Sequence, residues 1–338
     1  METKNIRLIS TGGTIACRPT KRGLAPELSA KDMLNIISAN TDIISSTDLF
    51  SMDSSNIQPE EWLVIVDEIL KTAQNPDIDG VVLTHGTDTM AYTASMLSYL
   101  LLGIRIPVVI TGAQSPIINE DSDGRQNLRD AILAAQRLPA GVYIVFGGSV
   151  MLGCRAVKTH TLSKHAFESI NLPYTARIEN DRFTLLNKPY RDESCFAEKM
   201  SGNICPDVAL VKLIPGTSPK LLDAIYDCGM RGVVVESFGL GGVHSFRRDH
   251  NESLIRLMNK GIAVVLTSQC LYEAASLDVY EVSRTLHDAG AVSAADMTTE
   301  ATVTKLMWAL GQKDVSVREV FAHNFCGERG QTVEEGKV

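Results

Sequence analysis

Three apolar runs in the first third of the sequence end alike: LIS-TGGT, VVL-THGTDT and VVI-TGAQSP each place Thr and Gly at a carboxyl end. These residue types suit attack on a carbonyl carbon. A threonine hydroxyl can serve as nucleophile, glycine lets the backbone approach a ligand closely, and backbone N–H groups can stabilise an oxyanion. In open α/β sheets ligands bind outside the carboxyl ends of the strands, so the pattern gathers Thr14, Thr87, Asp88 and Ala113 at one rim. Each Thr–Gly pair taken singly is also ordinary βα-loop turn chemistry. Three in series point to a shared rim.

Strands and helices must carry those loops. Residues 6–10, 80–84, 107–111 and 141–146 read as short β-rich strands alternating with helical stretches, the pattern of βα units and a parallel sheet. Pro59, Glu60 and Glu61 open a helix through Leu70, and Asp123 precedes one through Arg137. Proline and acidic residues suit the positive end of a helix. The stretch 188–206 is charged, rich in Pro, Gly and Ser, without period, and reads as an interdomain linker. A second series follows: strands at 208–213, 232–237 and 263–267, with helices at 218–228 and 252–260 between them. With 338 residues, 44% of them hydrophobic, the chain is long for one domain. The expected fold is two open α/β domains with mainly parallel sheets: a larger catalytic N-terminal domain over 1–187 and a smaller C-terminal domain over 207–338.

Other chemistries find no pattern to rest on. There is no G-x-x-x-x-G-K-S/T phosphate loop, no G-x-G-x-x-G opening the first helix, and no G-x-S-x-G nucleophile elbow. His160 and His165 are five apart, and His244 and His250 six apart, which misses the spacing that puts two imidazoles on one helical face. The seven cysteines, at 17, 154, 195, 205, 228, 270 and 326, include no C-x-x-C pair and read as free, buried thiols. No metal and no cofactor is expected. A net charge of −8 without a basic stripe argues against a nucleic-acid partner. The N-terminus has an apolar stretch of only about four residues, far short of a signal-peptide core or a membrane span, so the expected location is cytoplasmic, with no membrane partner.

Family resemblance sharpens this reading. STGGTIA (10–16) and THGTDTM (84–90) closely resemble the two signature segments of bacterial asparaginases. TGAQSP (111–116), DGRQNLRDAI (123–132), RAVKTHTLSKHAF (155–167), GLGGV (239–243) and TSQC (267–270) are also similar to that family, in order along nearly the whole chain. The sequence resembles the cytoplasmic-type (type I) branch of the asparaginase/glutaminase family. The resemblance implies that Thr14 attacks the carboxamide of L-asparagine, with L-glutamine as the other substrate of this type, and forms an acyl-enzyme that water then hydrolyses. It further implies a second group, Thr87, Lys158 and Asp88, in which the lysine amine relays a proton through the Thr87 hydroxyl. Asp53, Ser54 and Ser55 match the loop that holds the substrate α-carboxylate. Gly13, Gly86 and Ala113 match backbone positions beside the substrate. Self-association is implied too, as a homodimer or homotetramer, with the 269–280 region completing a neighbour's pocket. A threonine hydroxyl does need a group to take its proton, and a lysine does so only where its surroundings or a relay allow it. Apart from its motif, Lys158 would read as an exposed strand-end lysine.

Two places depart from the family pattern. Members usually carry a tyrosine in the mobile loop after the first signature, where this chain has Leu24, and leucine moves no proton. Tyr272 and Tyr280 are the candidate replacements. Val157 and Glu236 stand where some cytoplasmic members bind regulatory asparagine, so cooperativity is not implied. Two other readings stay open. One is an ammonia-generating subunit of a tRNA-dependent amidotransferase, usually built with an additional N-terminal domain. The other is a non-catalytic amino-acid sensor, for which a lysine relay would be superfluous.

Overall fold

The structure is a computed structural model that describes residues 4–21, 23–40, 42–190, 196–276 and 281–330. The chain divides into two compact units, Met1–Arg191 and Asp192–Val338.

In the first unit the four β-branched runs named from the sequence are strands of one eight-stranded sheet. Its strands are β1 (Ile6–Gly12), β4 (Ile44–Met52), β5 (Gly80–Thr84), β6 (Pro107–Thr111), β7 (Gly141–Phe146), β8 (Ser149–Leu152), β11 (Ala176–Glu179) and β12 (Arg182–Leu185). Two small antiparallel pairs among the described residues lie outside it: β2 (Cys17–Thr20) with β3 (Gly23–Pro26), and β9 (Ala156–Lys158) with β10 (Phe167–Ser169). The sheet order is β12-β11-β8-β7-β6-β5-β1-β4. The five strands from β4 to β7 run parallel, and β8, β11 and β12 return antiparallel at the other edge. Register aligns the site: Ser10 lies opposite Thr84, and Thr84 opposite Thr111. Three neighbouring parallel strands therefore end level.

The helices that accompany this sheet are α1 (Ala30–Ile36), α2 (Pro59–Ala73), α3 (Met90–Leu100) and α4 (Gly124–Arg137). α2 starts as its sequence predicts, with Pro59 in the first turn and Glu61 accepting the Gln58 N–H at 2.8 Å. Ile65 and Ile69 of α2, Ala94 and Leu97 of α3, and Leu83 and Ile110 of the sheet share one buried cluster.

The second unit has a parallel sheet in the order β13-β14-β15-β16, built from Val208–Lys212, Gly232–Ser237, Ala263–Ser268 and Val292–Ser293. Helices α5 (Pro219–Asp227), α6 (His250–Asn259), α7 (Glu281–Asp288), α8 (Thr299–Leu310) and α9 (Val317–Ala322) accompany it. Val233, Val235, Leu254, Leu257 and Leu266 fill its core. The stretch expected as a linker is not free where it is described. The Trp308 indole N–H donates to Ser201 O at 2.9 Å, and Cys205 N–H to Met307 O at 2.8 Å. Both tie residues before β13 onto α8. The same helix carries Lys305, which donates to Glu328 Oε1 at 2.5 Å and to His323 O at 2.8 Å, with both side chains of the ion pair fully buried.

Candidate active site

Level strand ends set three loops side by side, and glycine decides how closely they approach. Gly13 sits at φ +74°, and a Cβ there would collide with the backbone of Gly86. A Cβ on Gly86 would strike Ser54 Oγ, and one on Gly112 would strike His85 O. Only the residue without a side chain permits such contacts. Hydrogen bonds then stitch the loops together. Gly13 N–H donates to Met52 O at 2.9 Å, the Thr89 hydroxyl to Ser54 O at 2.7 Å, and Ile117 N–H to Ile15 O at 3.1 Å.

Thr14 and Thr87 follow the two touching glycines. Thr14 begins a tight turn, Thr14–Ala16, and is half-buried, while Thr87 is buried. Lys158, the last residue of β9, reaches two acceptors: Thr87 Oγ1 at 2.8 Å and Asp88 Oδ1 at 2.6 Å. Because Thr87 Oγ1 accepts from the amine, its own proton is free to point elsewhere. The lysine side chain is 16% exposed and that of Asp88 67%, so the trio runs from a buried hydroxyl out to solvent.

The other expected residues divide by role. Asp53, Ser54 and Ser55 form one turn, in which Asp53 Oδ1 accepts from Ser55 N–H at 2.9 Å and from the Ser55 hydroxyl at 2.8 Å. Ser54 is buried against Gly86. Ala113 is buried beside Gly124. Leu24 lies on the β2–β3 hairpin opposite Pro19, 59% exposed. Tyr272 is exposed on the segment after β15, and Tyr280 lies outside the described residues. Val157 is buried on β9, and Glu236 accepts from the Thr299 hydroxyl at 2.8 Å.

Three polar residues at the rim carry no role in the sequence reading. Asp123, expected at the start of α4, does not cap it. Its carboxylate turns back to accept Gln114 N–H at 2.9 Å and Ser115 N–H at 3.1 Å. Asn127 donates to Gly112 O and accepts Gly147 N–H, both at 3.0 Å. A polar residue on the buried face of α4, four residues after the aspartate that precedes the helix, was the available signal, because a buried polar group requires a partner. His85 is the third, fully buried, with Nδ1 at 2.7 Å from Gly86 O and Nε2 at 3.0 Å from Thr93 Oγ1. Burial pushes its imidazole down to about 4, against the opposing Gly86 hydrogen bond. Among the described residues no group of three His, Cys, Asp or Glu is placed to hold a metal ion, and no helix is long and apolar enough to cross a membrane.

Comparison with known proteins fits this geometry into a lineage. The family model "Asparaginase, N-terminal" matches residues 5–191, and "Glutaminase/Asparaginase C-terminal domain" matches 207–321. The L-asparaginase of Thermococcus kodakarensis is 38% identical over 328 residues, covering 95% of this chain and 98% of that protein. A glutamyl-tRNA(Gln) amidotransferase subunit of Methanopyrus kandleri is 35% identical over 354 residues, covering 99% of this chain and 76% of that protein. Among solved structures, the thermostable L-asparaginase of T. kodakarensis superposes with a TM-score of 0.90 at 36% identity, covering 97% of this chain and 100% of that one. A probable cytoplasmic L-asparaginase from Campylobacter jejuni gives a TM-score of 0.82 at 26% identity, covering 95% and 100%. Both family models and full-length relatives agree, and the chain belongs to the asparaginase/glutaminase family of amidohydrolases.

Proposed function

We propose that the protein is an L-asparaginase, converting L-asparagine to L-aspartate and ammonia through a threonine ester. The observation that carries this reading is the Lys158 amine held at once on the Thr87 hydroxyl and the Asp88 carboxylate, beside the Gly13–Gly86 contact. Binding alone requires no such relay, which sets the sensor reading aside.

In this mechanism Thr14 Oγ attacks the carboxamide carbon. The tetrahedral oxyanion needs hydrogen-bond donors, and backbone N–H groups of the glycine-rich loops are the groups of the right kind to supply them. The C–N bond breaks, the nitrogen takes a proton and leaves as ammonia, and aspartate remains as an ester on Thr14. Water adds to that ester and restores the hydroxyl. Thr87 passes protons between the reacting centre and the Lys158 amine, while Asp88 balances the ammonium charge and faces the substrate α-amino group. Asp53, Ser54 and Ser55 hold the α-carboxylate end, and Gly13, Gly86 and Ala113 present backbone to the substrate. No cofactor or metal takes part. We assign the protein to the cytoplasmic type, acting as a homodimer or homotetramer, without nucleic-acid or membrane partners.

The test is ammonia release by purified protein from L-asparagine, L-glutamine and D-asparagine, with and without EDTA. Turnover of L-asparagine that EDTA leaves unchanged supports the proposal, and absence of turnover on every substrate overturns it. A second reading has a specific observation behind it, the 35% identity to an amidotransferase subunit over nearly the whole chain. L-Glutamine turnover without L-asparagine turnover would favour that reading.

A further inference from the structure

The buried imidazole of His85 has a single consistent arrangement of protons. Gly86 O can only accept, so Nδ1 carries the hydrogen across the 2.7 Å contact. The Trp62 indole N–H can only donate, and it does so to Thr93 Oγ1 at 3.0 Å. A neutral imidazole carries one ring hydrogen, so with it on Nδ1 the bare Nε2 accepts from the Thr93 hydroxyl, also at 3.0 Å. Every polar atom in this chain of groups is satisfied, in a site without exposure at either His85 or Thr93. Trp62 stands on α2, Thr93 on α3, and His85 directly after β5, so the chain joins two helices to one catalytic loop. The backbone of His85 is fixed as well: its N–H donates to Thr111 O at 2.8 Å.

The group so held is the Gly86 peptide, wedged between Gly13 and Ser54 with no space for a single methyl. Thr87 comes next. We infer that His85 is a positioning residue for the amide hydrolysis, its Nδ1–H fixing the Gly86 carbonyl so that the Thr87 hydroxyl stays on Lys158 and beside Thr14. The inference rests on the reading of this rim as the asparaginase site. Tautomer, not charge, is what the device controls: the Gly86 carbonyl requires the hydrogen on Nδ1, and the Thr93 hydroxyl, itself accepting from Trp62, satisfies the bare Nε2. A shift of about 1 Å at a catalytic group can cost on the order of 10² in rate.

The variants that test it differ in where they put an N–H. His85→Asn places an amide N–H near the Nδ1 position and should keep kcat within about tenfold of wild type. His85→Gln moves the amide one methylene further, towards Thr93, and should lower kcat by about 10²-fold with KM changed less than about threefold. Equal losses for Asn and Gln, in step with their thermal midpoints, would reduce His85 to a packing residue and overturn the proposal. Should neither variant fold, the imidazole nitrogen resonances of the wild-type protein decide. An Nδ1–H tautomer that holds from pH 8 to 5 is expected, and an Nε2–H tautomer overturns the proposal. A wild type that releases no ammonia from L-asparagine sinks the functional reading alone, since the nitrogen spectrum needs no turnover.

Discussion

Lys158 meets Asp88 at 2.6 Å in the first unit, and Lys305 meets Glu328 at 2.5 Å in the second, yet the surroundings of the two pairs differ throughout. Asp88 is two-thirds exposed, and the Lys158 amine divides its hydrogens between that carboxylate and a hydroxyl. Lys305 and Glu328 are sealed, the ammonium lying over the rings of Phe321 and Phe325 and the carboxylate accepting the N–H groups of Phe325 and Cys326. Burial pushes the Glu328 carboxyl up, but the Lys305 charge and hydrogen bond and the backbone N–H groups outweigh it, so its pKa lies below the ordinary value. A sealed pair has no route for a proton and serves to hold the chain after α9 in place. An open pair one hydrogen bond from a reactive hydroxyl can exchange. Solvent access and the chemistry of the further partner, a hydroxyl for Lys158 and a backbone carbonyl for Lys305, rather than pair distance, separate the two pairs.

The comparison breaks most visibly if Lys158→Met or Thr87→Val leaves activity intact. Each should lower kcat by at least ~10³, about 4 kcal/mol on the barrier, with an unfolding midpoint close to wild type. Steady-state kinetics beside thermal denaturation checks both halves. Thr14→Ala should do the same. The opposite profile is expected in the second unit. Lys305→Met leaves a buried carboxylate without its cation and should cost about 3–4 kcal/mol of stability by denaturant titration, while kcat of the folded fraction holds.

Acid supplies the next test, through His85. Its folded-state pKa of about 4 lies below the ordinary 6.5, so the unfolded chain takes up the proton first. Stability from this group is whole above pH 6.5 and falls by about 3 kcal/mol as pH drops towards 4. Denaturant titrations across that window should show the slope, and His85→Asn should remove it. Asp130 has the reverse sign and the smallest effect. Burial raises its carboxyl to about 6, the Gln126 amide opposes, and the Asp181 charge adds to the rise. The native state then binds the proton more readily, so stability is lost as pH rises from about 4 to 6 and stays lost above. Asp130→Asn should therefore gain about 1–2 kcal/mol at pH 7.5 and nothing near pH 4. An equal gain at both pH values would mean that packing, not ionisation, is responsible.

Four of the eight strands of the first sheet were readable because they are short β-branched runs, while the short antiparallel strands β8, β11 and β12 were not named. β4 was not, since ISSTDLFSM mixes polar and apolar residues on an edge strand that half faces solvent. α3 was not either, because nearly every residue from Met90 to Tyr99 is buried and a helix apolar all round has no period to detect. At the site, Thr87, Asp88 and Lys158 were named from their motifs, and the structure places them in one hydrogen-bonded group. What spacing could not show is the layer behind them. His85 sits inside THGTDTM, but its partners Trp62 and Thr93 come from the helices before and after it in the chain, and only packing joins them. Asp123 looked like a helix cap and instead collects loop amides, a choice its local sequence does not encode.

Thr87 and its lysine are 71 residues apart in the chain, and the strand that carries the lysine, β9, pairs with β10, which ends at Ser169. On a ribosome adding about 5–20 residues per second, Lys158 is made about 4–14 s after Thr87. Through that interval a nascent chain carries both threonines of the proposed mechanism without the amine that serves them. The hydroxyls are thus made before the amine that holds one of them.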